Sequence, residues 1–192
     1  GVVFEQENAR IRAFQVDHRG FTLGYEFVYQ RPTGPFLPAK ARELGVPEGP
    51  LWGKLASGQT VELESGESIE PAQVTGKQDK PIKIVYSGDT RPCKVVRESA
   101  EHANLLVHEA MYAEEHADLA EERGHTTARE AAQIAKDASV ELLLLTHYSP
   151  RYGDGTTILA EAKEVFPNSM LARDLMRITI DSDGKKTIIS PE

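Results

Sequence analysis

Three polar side chains stand at the ends of apolar runs in this sequence: Asp89 after IVYSG, Glu109 after LLVH and His147 after ELLLLT. Such runs read as buried strands, and a strand can end without an acid or an imidazole. In layered α/β folds the groups that handle ligands collect outside the carboxyl ends of strands, so three such exits suggest one shared site. His18 also follows a strand-like run, with Asp17 beside it. Taken singly, each has a structural explanation. Asp89 serves equally well in an Asx turn or as the cap of the helix that follows. His147 and His18 read equally well as hydrogen-bonded structural histidines. His125 is more specific, because it lies in GHTTARE, directly before the cap of an alanine-rich helix. Helix N-terminal amides welcome an anion such as phosphate, and the same end of the dipole disfavours an imidazolium. A histidine there suits proton delivery to a phosphate ester; the alternative is an exposed residue that only precedes the cap.

Hydrolysis of a phosphodiester at neutral pH calls for metal-activated water and neutralised phosphate charge. Imidazole nitrogens suit zinc, and a carboxylate has one oxygen for each of two ions. His18, Asp89 and His147 have the right chemistry for three positions of such a centre. Three ligands do not fill two zinc ions, and His102, His108 and His116 form no HxH pair. The sequence therefore supplies at most half of a two-metal site.

The elements that must position these residues follow from patterning. ARIRAFQV (9–16) and FTLGYEFVYQ (21–30) read as strands of one hairpin, and the opening GVVFEQ reads as sheet sequence. Residues 31–59 are rich in proline and glycine, with one short helix expected at 38–44; the stretch 31–58 reads as a protruding excursion ordered by its own turns. TVELE and ESIE are expected to pair across a two-residue Ser65–Gly66 loop. Strands are then expected at 82–87, 104–109 and 140–147. Helices are expected at 92–102, 113–123, 127–138 and 156–166, with Thr127 and Glu130 at capping-box spacing. A last hairpin is expected to turn at Asp183–Gly184. Strand–helix alternation with continuous apolar strands indicates a layered α/β domain with its strands covered.

With 192 residues, 40% hydrophobic and 27% charged, the chain is expected to be globular and soluble. No apolar run is long enough for a membrane helix, and no basic, apolar leader is visible. The single cysteine, Cys93, makes no internal disulfide, which fits a reducing cytoplasm. The first residue is Gly1, and a natural N-terminal part is expected to precede it. A net charge of −8 disfavours nucleic acid as a partner, but the charge is uneven. Residues 31–58 and 76–97 are net basic and residues 98–130 strongly acidic, so local patches remain able to track a phosphate backbone.

YSGDTRPC, LLVHEAMY, GHTTAREAA and LTHYSPRY, in that order, closely resemble the ribonuclease Z family, tRNA 3′-processing endonucleases of the metallo-β-lactamase superfamily. GYEF after His18, the stretch LGVPEGPLWGKL and VFPNS extend the resemblance over nearly the whole chain. The spacings fit as well: 71 residues from His18 to Asp89, 36 to His125 and 22 more to His147. The resemblance implies the C-terminal half of an αββα metallo-β-lactamase fold as a single partial domain over 1–192, with 31–58 as an inserted exosite arm that grips tRNA. It implies His18, Asp89 and His147 as ligands of a two-zinc centre, with Asp89 bridging. It implies Glu109 as the support of a catalytic His125 that protonates the leaving ribose oxygen, an effect typically worth about 10²–10⁴-fold. Lys40, Arg42 and Lys54 would contact tRNA from the arm, and Arg91, Thr126, Ser149 and Arg151 would meet the phosphate or acceptor end. The implied activity is zinc-dependent removal of the 3′ trailer from precursor tRNA, in a cytoplasmic homodimer with no membrane partner. The family's HxHxDH motif is absent, as is the N-terminal half that carries it, and Met111 stands where the family has threonine. Two rival readings are another hydrolase of the superfamily, which would lack the arm, and a catalytically silent tRNA-binding fragment. A generic α/β domain with structural polar strand ends is a third.

Overall fold

The computed structural model describes residues 1–181 and 184–189. In chain order its elements begin with strands β1 (Val2–Gln6), β2 (Ala9–Gln15) and β3 (Leu23–Tyr29). Helices α1 (Pro38–Glu43) and α2 (Pro50–Ala56), strands β4 (Val61–Glu62) and β5 (Ser68–Ile69) and helix α3 (Pro71–Val74) come next. Then follow β6 (Ile82–Tyr86), α4 (Lys94–Ala100), β7 (Leu105–Glu109), α5 (Ala117–Arg123), α6 (Ala128–Asp137), β8 (Leu143–Thr146), α7 (Thr156–Val165), β9 (Ser169–Leu171), β10 (Arg177–Ile180) and β11 (Lys186–Ile189). The chain forms two units, one of residues 1–5, 9–28 and 82 onward, the other of residues 6–8 and 29–81.

The first unit is built on a seven-stranded sheet in the order β1-β2-β3-β6-β7-β8-β9. β6, β7, β8 and β9 are mutually parallel, with Leu106 opposite Leu143 and Leu144 opposite Met170. The continuous run ELLLLT is explained by cover on both faces. Leu143 and Leu145 join Phe14, Val16, Val85 and Leu106 under Val96, Ala131, Ala135, Ile158 and Ala162 of the helices. The small helical side chains at those contacts let helix and sheet approach closely. On the opposite face Leu105, Leu142 and Leu144 pack beneath Ile178, Ile180 and Ile188 of the β10–β11 hairpin. Of that hairpin's expected turn, Asp183 lies outside the described residues, as does Ser190 at the end of its second strand.

The second unit has a core of its own, where sequence composition pointed to turns. Ala41, Val46, Leu55, Val61, Ile69 and Val74 are buried in it, with Trp52 and Phe36 packed against them. Two helices form where one was expected, each opening on a proline, whose fixed φ suits a first turn. The β4–β5 loop is three residues, not two. Leu63 N–H donates to the Glu67 carbonyl, and Gly66 takes the left-handed conformation (φ 83°) that closes such a loop.

Other departures are local. The helix expected at 113–123 is a 3₁₀ turn over Glu114–His116 followed by α5. The strand expected at 140–147 is paired only over Leu143–Thr146, and β9, unexpected as a strand, forms the sheet's far edge. Thr127 caps α6 through a capping box, as its spacing predicts. No helix among the described residues is long and apolar enough to cross a membrane.

Candidate active site

Parallel pairing puts the exits of β6, β7 and β8 on one edge of the sheet, with Tyr86 opposite Val107 and Glu109 opposite Thr146. β6 leaves through Ser87 and Gly88. Gly88 sits at φ 65°, and a Cβ there would lie 2.7 Å from the Leu23 carbonyl oxygen of β3. Only glycine allows the chain to turn that close to its neighbour, and the turn presents Asp89. β8 runs into His147, whose φ of 52° is rare for a non-glycine residue and marks a position held by its surroundings. The two meet, with His147 Nδ1 3.2 Å from Asp89 Oδ1 and both side chains partly exposed.

Glu109 ties the loops together from beneath. It is 1% exposed. Its Oε1 accepts from Thr90 N–H at 2.7 Å and pairs with His125 Nδ1 at 2.9 Å. Its Oε2 accepts from Thr126 N–H at 3.2 Å and Met111 N–H at 3.3 Å. Burial pushes its carboxyl up to about 7, against the pull of these three backbone donors. Those donors assign the proton of the His125 pair to Nδ1 and leave Nε2 with a lone pair. Burial, then the neighbouring His18, holds His125 below the ordinary imidazole range.

His125 is fixed from its backbone too. Arg91 donates to the His125 carbonyl at 2.6 Å and grips Glu130 with both terminal nitrogens, at 2.9 and 3.1 Å. Glu130 in turn closes the capping box on Thr127 N–H at 2.8 Å. Arg91 N–H also donates to the Asp17 carbonyl at 2.6 Å, which anchors the loop carrying His18. His18 Nδ1 donates to the Gly124 carbonyl at 2.7 Å, and its ring is 5.0 Å from that of His125. A histidine whose second nitrogen is held by a carbonyl has the arrangement of an oriented metal ligand.

Donor atoms of Asp89, His125 and His147 all lie within 4.8 Å of one another. Two imidazoles and a carboxylate suit zinc or a similar divalent ion, so the residues fit one such ion with a position left open. The structure thus brings Asp89 and His147 together as expected and adds His125 to them. His18 stands beside the three rather than among them. Thr126 is buried, with its hydroxyl on the Thr90 carbonyl. The Ser149 hydroxyl accepts from Arg151 N–H at 3.5 Å, and the Arg151 guanidinium lies 5.5 Å from the centre of the Tyr112 ring. In the second unit Lys40 and Lys54 are exposed, whereas Arg42 pairs with Glu48 at 2.8 Å over the face of Trp52. Sequence reasoning did not anticipate the Arg91–Glu130 grip or the buried Tyr112. The capping-box spacing held a hint of the first, since it fixes where the Glu130 carboxylate lies.

A model of the family described as "Beta-lactamase superfamily domain" matches residues 51–148. The chain belongs to the beta-lactamase superfamily. The resemblance read from the motifs is borne out. The chain is 48% identical over 170 residues to "Ribonuclease Z" of Gemmatimonas aurantiaca, covering 88% of this chain and 54% of that one. It is 44% identical over 195 residues to "Ribonuclease Z" of Brevibacillus brevis, covering 97% and 61%. The chain therefore spans little more than half the length of these curated relatives. Among solved structures it is similar to the metallo-beta-lactamase fold protein YhfI from Bacillus subtilis, with TM-score 0.54 and 18% identity over 88% of this chain and 48% of that one. It is also similar to human tRNase Z, short form, with TM-score 0.51 and 22% identity over 98% and 46%. The metallo-β-lactamase fold expected from the motifs is the fold observed.

Proposed function

We propose that this superfamily member is an endoribonuclease part that removes the 3′ trailer of precursor tRNA by hydrolysing one phosphodiester bond. The observation that supports it most is His125, anchored by a buried carboxylate and facing Asp89 and His147 across a donor set fit for a metal. Asp89 and His147 would hold the ion; zinc suits an imidazole and a carboxylate, and His18 beside them is the further ligand that the resemblance implies. When bound, the ion supplies water activation and neutralises charge on the phosphate. Glu109 fixes the His125 ring so that Nε2 faces the reacting atoms. Nε2 must first take up a proton from solvent; as the P–O bond to the ribose breaks, it delivers that proton to the departing oxygen, and the proton lost by the attacking water returns to solvent. A His125 held below the usual imidazole range is a strong acid once protonated.

Residues 31–58 would grip the tRNA away from the cut bond, through Lys40, Arg42 and Lys54, so that binding energy there orients the phosphate. A two-zinc centre requires ligands beyond those of this chain, from a segment bearing HxHxDH. The setting is the cytoplasm, in a homodimer. The reading is tested by metal per chain after dialysis, measured by elemental analysis, together with cleavage of a 3′-extended precursor tRNA. Bound metal and trailer release are expected, with His125→Ala keeping metal and losing release. Loss of metal in His125→Ala would instead make His125 a ligand. The small donor set favours one second reading, a silent tRNA-binding chain; tRNA binding with little metal and no cleavage would select it.

A further inference from the structure

Read from the sequence, Arg91 is a cation for the substrate phosphate; in the structure it faces the protein. Its backbone N–H donates at 2.6 Å to the carbonyl of Asp17, the residue before His18. Its guanidinium donates to the His125 carbonyl at 2.6 Å and to the two Glu130 carboxylate oxygens at 3.1 and 2.9 Å. Glu130 is held in turn, since its Oε2 accepts from Thr127 N–H at 2.8 Å at the start of α6. One residue before Arg91, Thr90 N–H donates to Glu109 Oε1, the oxygen that pairs with His125 Nδ1. The two residues after Asp89 therefore clasp the backbone beside His18 and, on His125, both the carbonyl and, through Glu109, the ring. The side chains of Arg91 and Glu130 are 22% and 31% exposed, so water screens the pair only in part. A guanidinium forked onto a carboxylate has a fixed direction, and it would have to leave that partner to meet a phosphate.

We propose that Arg91 and Glu130 are positioning residues, which hold the His125 and His18 loops in register with Asp89 and so keep the proton donor aligned with the metal ligands. Neither touches the reacting atoms in this role. The inference rests on the ribonuclease reading of the site and replaces the phosphate contact that the resemblance implies for Arg91. Misplacing a catalytic group by about 1 Å lowers a rate by about 10²-fold, so a loosened clasp is expected to act on turnover more than on binding.

The test uses the full chain with Arg91→Lys and Glu130→Gln. Lysine keeps the charge but offers a single point in place of the fork; glutamine keeps an oxygen for Thr127 N–H and loses the charge. On a 3′-extended precursor tRNA each variant is expected to lower kcat about 10- to 100-fold, with KM within about twofold of the wild type. The double variant should be no slower than the slower single variant, because both changes open one contact. A second readout needs no cleavage. In the chain dialysed against chelator, the proton on His125 Nδ1 should give a downfield imidazole NMR signal, assigned by its loss in His125→Ala. In both variants that signal should shift or be lost to exchange with solvent, while Tm stays within about 4 °C of the wild type. Unchanged kcat in both variants against an active wild type would overturn the proposal. So would a His125 signal absent from the wild type or unchanged in the variants. Raised KM with unchanged kcat in Arg91→Lys alone would mark a phosphate contact and overturn it as well. Failure of the ribonuclease reading shows differently, as no trailer release by the wild type, and the His125 signal then decides the positioning role by itself.

Discussion

Gly88→Ala tests whether the active-site edge depends on one close backbone approach. At φ 65° an alanine costs about 1–2 kcal/mol for the left-handed conformation alone. Its Cβ would also stand 2.7 Å from the Leu23 carbonyl oxygen and 3.3 Å from Thr22 Cγ2. The nearer contact is backbone and cannot swing away, so the loop or β3 must shift by several tenths of an ångström. That adds about 1–3 kcal/mol of overpacking cost. The total of about 2–5 kcal/mol corresponds to a Tm lowered by roughly 4–20 °C in a chain of this size. Gly66→Ala is the internal control, since Gly66 has φ 83° and nothing within 4 Å of its added Cβ. It should show only the conformational part, roughly 2–8 °C. Thermal unfolding followed by circular dichroism compares the two. Metal content after dialysis should fall only in Gly88→Ala, because Asp89 moves with its loop. Equal Tm losses in the two variants, with metal unchanged, would refute the idea that Gly88 is required for its approach to β3.

Asp89→Asn and His147→Ala should each lower metal affinity by at least about tenfold, read by competition with a chromophoric chelator; retained affinity in both would remove them from the donor set. Glu109→Gln takes the carboxylate from His125 Nδ1 and should slow trailer cleavage about 10²-fold or more with metal content unchanged. Equal rates would show that Glu109 is only a tie between loops. His108 is fully buried, with Nδ1 on the Glu109 carbonyl and no partner for Nε2 among the described residues, and burial lowers it to about 4. The unfolded chain therefore binds the extra proton, and stability is lost as pH falls from about 6.5 to 4, by about 3 kcal/mol. His108→Leu should shrink the loss of Tm over that window; parallel Tm-against-pH curves for variant and wild type would count against it.

Much of the frame follows from local patterns. Continuous apolar runs marked β6, β7 and β8, and polar residues at their exits marked the edge where a site would form. Thr127 and Glu130 announced the start of α6, because capping depends on residues three apart. The glycine before Asp89 signalled a turn. These features are set by backbone hydrogen bonding and side-chain periodicity, both of which operate over a few residues. Other features depend on where distant segments meet. His125 joins Asp89 and His147 only because parallel register brings the exits of β6 and β8 to one edge and the Glu109 carboxylate ties the His125 loop to Thr90, beside Asp89. Arg91 reads in the sequence as a cation free for phosphate, yet it turns inward because Glu130 and the His125 carbonyl lie within reach once α6 is packed. Tyr112 is an ordinary aromatic residue in the sequence; only in the folded chain does its carbonyl accept from Ala128 N–H and its ring lie beside His125 and Arg151. The core of residues 29–81 was hidden for the same reason, since its apolar residues are scattered among prolines and glycines and share no period. Sequence determined which residues are capable of chemistry and which strands end beside them; tertiary structure decided which of them meet, because burial and register act between residues far apart in the chain.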